Sequence, residues 1–167
     1  MKACRLLIRC LPVVALSTIL CATVLGADVP SKAAPAAATT GGTPESRTPE
    51  GVWKPIAAIL GGARLPKESL DAITLRISGT NYEVTVKGET EPDRGFSTLD
   101  TNASPKHMTI TSTNGPNRGK TFLAIYEMKD GRSLRVCYDL SGAEFPKEFK
   151  APKGTQLYLV GYRRQKE

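Results

Sequence analysis

After Gly51 apolar and polar residues alternate with a period of two, in short runs broken by Gly, Asn, Asp and Pro. That pattern belongs to half-buried β-strands joined by turns. It is clearest in Ile73-Thr74-Leu75-Arg76-Ile77-Ser78, followed by a Gly79-Thr80-Asn81 turn and by Tyr82-Glu83-Val84-Thr85-Val86-Lys87. Folded as a hairpin, these runs put Ile73, Leu75 and Ile77 on one face with Tyr82, Val84 and Val86, and turn Thr74, Arg76, Glu83, Thr85 and Lys87 to water. Further strands are expected over 52–60, 94–99, 107–111, 121–128, 133–140 and 156–162, and the Asp130-Gly131 step marks another tight hairpin.

Eight strands in sequence with short connections predict an all-β domain, an eight-stranded antiparallel up-and-down barrel, because closing the sheet removes its exposed edges. A two-sheet sandwich is the competing architecture. One short helix is expected at Pro66-Lys67-Glu68-Ser69-Leu70-Asp71, with Pro66 at the first helical position and Leu65 and Leu70 packing inward as a plug at a barrel end. Lys54-Pro55 should disturb the first strand, since proline cannot donate to a ladder. The expected interior lining is Leu75, Ile77, Val84, Val86, Phe96, Met108, Ile110, Ile125, Leu134, Val136 and Tyr138.

The chain has 167 residues, enough for one sizeable core. Residues before the barrel change the picture of where it works. Lys2, Arg5 and Arg9 precede an apolar run from Leu11 to Leu25 and the small residues Gly26 and Ala27, which reads as a cleaved signal peptide over 1–27. Residues 28–50, rich in Ala, Pro, Thr and Gly, lack the apolar surface to offset ordering and are expected to form a disordered tether before the domain at 51–167. Export would place the domain outside the cell or in the periplasm. It would also remove Cys4, Cys10 and Cys21, leaving Cys137 with no partner for an internal disulfide. The formal charge of +7 falls to +4 without the leader, and the one tight basic group, Arg163, Arg164 and Lys166, reads as a solvated tail, so nucleic acid is not an expected partner.

Gly51-Val52-Trp53 at the first strand and Tyr162-Arg163-Arg164 at the last resemble the lipocalin kernel, in which a Gly-x-Trp indole crosses the closed end of the barrel under an arginine. Gly51, Trp53 and Arg163 or Arg164 hold the matching positions. A guanidinium over an indole contributes about 0.5–2 kcal/mol on physical grounds alone. Along most of the domain the chain is similar to a family of small secreted bacterial domains, abundant in planctomycetes and lipocalin-like, with no established activity. The segments that carry this likeness are Leu65-Pro66, Asn114 to Thr121, Ala124-Ile125-Tyr126-Glu127, Asp130-Gly131, Leu134 to Tyr138 and Pro146-Lys147-Glu148-Phe149. The resemblance implies a fold and a compartment and transfers no catalytic residue.

Catalytic kits are scarce. Gly115-Pro116-Asn117-Arg118-Gly119-Lys120-Thr121 has three residues between its glycines where a phosphate loop needs four, and it precedes a strand rather than a helix. His107 is the single histidine, so no imidazole cage for a metal can form, and it reads as a surface residue. Cys137 lacks a companion His motif and reads as a buried, inert thiol. Glu89 with Glu91 and Glu144 with Glu148 read as solvated rim carboxylates. Gly-x-Ser-x-Gly, His-Glu-x-x-His and Cys-x-x-Cys are absent. No catalytic residue, metal or cofactor is therefore expected, and the domain is not expected to be an enzyme.

Two functions remain. Either the barrel holds a small hydrophobic ligand, oriented by groups such as Tyr82 and Tyr138, or it is solid and the monomeric domain meets another envelope or extracellular protein through its loops. For the second, the 141–154 connection is the expected surface, with Phe145 and Phe149 as anchors unless they cap the barrel.

Overall fold

The computed structural model describes residues 48–166, and the expected signal peptide (1–27) and all but the last three residues of the expected tether (28–50) lie outside that range. The strands are β1 (Gly51–Leu60), β2 (Ala63–Arg64), β3 (Ile73–Ser78), β4 (Asn81–Val86), β5 (Asp93–Asp100), β6 (Lys106–Asn114), β7 (Thr121–Lys129), β8 (Ser133–Asp139) and β9 (Leu157–Arg164), with one helix, α1 (Lys67–Ala72). Neighbours in sequence pair antiparallel from β3 through β9, and β1 pairs with both β3 and β9. The sheet is thus a closed eight-stranded up-and-down barrel. The two-residue β2, which has no alternation long enough to show in the sequence, folds back on the end of β1.

Closure rests on a bend in β1. Its first residues, Gly51 to Trp53, pair with Ile77 to Leu75 of β3, while Trp53 to Leu60 pairs with β9 from Arg164 back to Tyr158. Between these halves the register shifts across Pro55 and Ala57, and the bulged Ile56 is 61% exposed. The missing N–H of Pro55 is the physical reason the ladder gives way there. The gap left where β3 parts from β1 is filled by α1. Leu70 reaches the core from the helix and Leu65 packs against it, as the sequence indicates. Pro66 caps α1 from outside, at φ −67°, ψ 155°, instead of opening its first turn. Lys54 holds the other end, its Nζ donating to the carbonyls of Asp71 (3.2 Å) and Ile73 (3.0 Å).

Trp53 is fully buried in the core. The Arg164 guanidinium lies 4.6 Å above the indole ring, whereas the neighbouring Arg163 is exposed and faces outward. Thr48 to Glu50, assigned to the tether by composition, join this assembly. Pro49 is buried and its carbonyl accepts the Trp53 indole N–H at 2.8 Å, while the Thr48 carbonyl accepts from Arg164 Nη2 at 2.9 Å. Gly51 is required beneath them. Its φ is +119°, and a Cβ there would stand 3.2 Å from Arg164 Nη1.

Trp53→Ala is expected to cost about 3–5 kcal/mol of unfolding free energy by emptying this end of the core. Arg164→Gln should cost about 0.5–2 kcal/mol through the lost cation–π contact. Denaturant titrations followed by circular dichroism, which needs no tryptophan, check both. A Trp53→Ala midpoint equal to the native one would contradict this role.

Candidate functional site

Inward positions of the barrel surround a cavity of about 160 Å³. Nine of the expected lining residues stand around it: Leu75, Ile77, Val84, Val86, Met108, Ile110, Leu134, Val136 and Tyr138. Two do not. Phe96 is 42% exposed and points outward, because Gly95 and Ser97 hold the inward slots of β5. The backbone demands this phase at Gly95, where a Cβ would lie 1.9 Å from the Thr111 carbonyl oxygen beside the β5–β6 register shift. Ile125 is fully buried but on the outer face, since Ala124 and Tyr126 take the inward positions of β7.

Ile125 is buried by the long connection between β8 and β9, which crosses the outside of the wall as a strap. The Phe145 ring stacks on His107 at 3.9 Å between centroids and 6° between planes, and Arg135 lies 4.1 Å over the Phe149 ring. Pro146 and Ala151 are buried, and the Cys137 thiol donates to the Lys150 carbonyl at 3.3 Å. Phe145 and Phe149 therefore cap no barrel end. His107, expected as a surface group, is half covered by the stack. Burial pushes the Cys137 thiol up to about 11, against the pull of its Lys150 hydrogen bond and the Arg135 charge, which leaves it a poor nucleophile.

Asp139 anchors the strap where it leaves β8. Its carboxylate accepts from the amides of Ser141 (2.9 Å), Ala143 (2.9 Å) and Glu144 (3.1 Å) and from the Ser141 hydroxyl. Burial works to raise its pKa, but the Ser141 hydroxyl and these amides outweigh burial and hold the carboxyl below its usual value.

Inside, the polar groups are tyrosines. Tyr138 and Tyr162 approach hydroxyl to hydroxyl at 3.5 Å, and the Tyr138 and Tyr158 rings stack at 5.8 Å. Burial pushes Tyr138 up to about 12 and Tyr162 well above the ordinary phenol range, so both stay neutral at any physiological pH. Tyr82, with 8% exposure, is also among the lining residues, and its hydroxyl is buried beside Ser112 and Asp93. Burial pushes it up to about 12, with the nearby Ser112 hydroxyl acting against and the Asp93 charge adding to the rise.

The loops at the end away from Trp53 supply the rest of the boundary: Glu89 and Glu91 from the β4–β5 loop, Asp93 at the head of β5, and Pro116 and Asn117 from the β6–β7 loop. Asp93 is fixed by the Ser112 hydroxyl and by Asn117 Nδ2 at 3.0 Å. The glycine-rich 115–121 segment thus closes as a turn at the cavity rim, with Gly119 N–H donating to the Ser112 carbonyl at 2.8 Å. From the sequence this segment reads as a turn and Glu89 and Glu91 as solvated rim carboxylates, with no cavity beside them. Their position after strands that converge on one end was the signal available. Glu144 and Glu148 lie on the strap instead, with Glu148 paired to Lys150 at 2.7 Å.

Among the described residues no group of three or more His, Cys, Asp or Glu side chains stands together to hold a metal. No protein-family model matches the chain, and no curated protein matches it in sequence.

Because its folded pKa is lowered, Asp139 contributes stability that is fully present above the ordinary carboxylate range and is lost as pH falls through the lowered value. Acidification below about pH 4 should release the strap. Asp139→Asn should cost about 1–3 kcal/mol at neutral pH and flatten that acid dependence. Limited proteolysis of 141–154 across pH reads both effects, and an Asp139→Asn profile superimposing on the native one would contradict the anchor.

Proposed function

We propose that the domain is an exported, non-enzymatic, lipocalin-like binding module whose barrel takes one small, largely apolar molecule. The observation that carries this reading is the space enclosed by Leu75, Val84, Met108, Ile110, Val136 and their neighbours. At about 160 Å³ it is close to the roughly 150 Å³ apolar cavity that holds a benzene ring in another protein, and well below the roughly 300–1,000 Å³ of a drug-sized pocket. The occupant is accordingly a single ring or a short alkyl chain, not an extended fatty acid.

The stacked Trp53–Arg164 pair with its Gly51 supports the lipocalin-like reading, and the basic leader with its apolar run supports export. The two phenylalanines on the connection expected to serve an interaction module, Phe145 and Phe149, are engaged by His107 and Arg135 of their own chain. The ligand reading is therefore the one the geometry favours.

The full chain should bind 2-phenylethanol saturably, as followed by chemical-shift changes of the Met108 and Val136 methyl groups. Val136→Phe should weaken that binding at least about tenfold, or about 1.4 kcal/mol, by filling the space. Leu134→Ala, which enlarges it, should cost about 2–5 kcal/mol of stability and admit a bulkier ring. Absence of saturable shifts in the native chain would contradict the proposal.

A further inference from the structure

The cavity is approached from one end of the barrel. The lining residues that lie between strands, Glu89, Glu91, Pro116, Asn117 and Leu140, all stand where β4, β6 and β8 finish. The opposite end is stoppered by Trp53, with Pro49 and Arg164 against its ring. A guest therefore enters and leaves past the rim loops.

One of those loops, the β6–β7 turn, is held unevenly. Its C-terminal foot is nailed by backbone bonds, the Gly119 N–H donating to the Ser112 carbonyl at 2.8 Å and the Ser112 N–H to the Lys120 carbonyl at 2.9 Å. Its other foot, Gly115, is pressed against the head of β5, where a Cβ would lie 2.5 Å from the Pro92 carbonyl oxygen. Between the feet, the tip from Pro116 to Arg118 has a single tie across the rim among the described residues, Asn117 Nδ2 donating to Asp93 Oδ2 at 3.0 Å. Asp93 is itself steadied by the Ser112 hydroxyl. Gly115 and Gly119 bracket the tip at φ +80° and +81°, and a Cβ on Gly119 would meet nothing within 4 Å, so there is room for the tip to swing.

We propose that the Pro116–Arg118 tip is the gate of the cavity and that the Asn117–Asp93 hydrogen bond is its latch. This rests on the ligand reading above. With the latch made, Pro116 and Asn117 stand against the cavity and narrow its mouth. With it broken, the tip swings on its two glycines while the bonds at Ser112 keep the barrel closed. Such a gate sets how fast a guest exchanges, not how tightly it is held, because it opens equally for entry and exit.

The test follows exchange of 2-phenylethanol on the full chain from the line shapes of the Met108 and Val136 methyl signals. Asn117→Ala should raise the entry and exit rates alike by about tenfold, the worth of a hydrogen bond to a carboxylate, and leave the dissociation constant within about twofold of native. Asn117→Asp, which sets two carboxylates against each other, should raise both rates at least as far, most strongly at low salt. Arg118→Ala, on the same tip but outside the latch, should keep the native rates. Circular dichroism establishes that each variant is folded. Native rates in Asn117→Ala, a faster exit alone with a matching loss of affinity, or equal acceleration in Arg118→Ala would overturn the gate while leaving the cavity reading standing. Absence of saturable binding in the native chain would overturn both.

Discussion

The structure depends on one strand having two partners. β1 must reach β3 with its first residues and β9 with the rest, because an eight-stranded meander that failed to join these strands would leave two rows of backbone groups unpaired. A straight strand cannot serve both neighbours along its whole length. Pro55 and the bulged Ile56 supply the bend, and the gap it opens at the far end is filled by the single turn and a half of α1, with Lys54 holding the helix carbonyls. Trp53 sits where all three strands meet, which explains why its ring, Arg164, Gly51 and Pro49 are so closely fitted.

Closure sets the radius, and the side chains decide how much of the interior remains. On most strands the inward slots carry Leu, Ile, Val, Met or Tyr, and these give the wall its apolar character. β5 departs from this. Its inward slots are Gly95 and Ser97, and Ser112 faces in from β6 beside them. A barrel with bulky residues at those positions would have a filled core. With them left small, space remains beside Ser97, and the rim loops leave it reachable from the end opposite the indole. The outer face opposite is handled differently, with His107, Ile125 and Cys137 covered by the strap that Asp139 pins in place.

Strand number, order and turns were legible because period-two alternation and Gly or Asp-Gly punctuation are local properties of the chain. The hairpin of Ile73–Ser78 with Asn81–Val86 has Leu75 opposite Val84 and Ile77 opposite Tyr82, as the pattern indicates. The two misplaced residues have separate causes. Sorting each strand into an apolar inner face and a polar outer one works only where the outer face is wet. On β7 the strap makes both faces dry around Ile125, so Phe122 through Tyr126 reads as a continuous apolar run in which Ile125 and Ala124 cannot be ranked. On β5 a steric demand at Gly95 fixes the phase and sends the strand's one aromatic outward. Arg164 over Arg163 is likewise a matter of register with Trp53, and Thr48 to Glu50 joined the barrel through backbone carbonyls that composition does not reveal.

The central claim is that a closed barrel keeps an open apolar interior. Diffraction from crystals of the protein pressurised with xenon tests it most directly, since xenon enters dry cavities of this size. The account predicts a xenon peak among Leu75, Ile110 and Val136 inside an unbroken ring of eight strands. A side chain occupying that position with no xenon bound, or an open seam between β1 and β9, would contradict it.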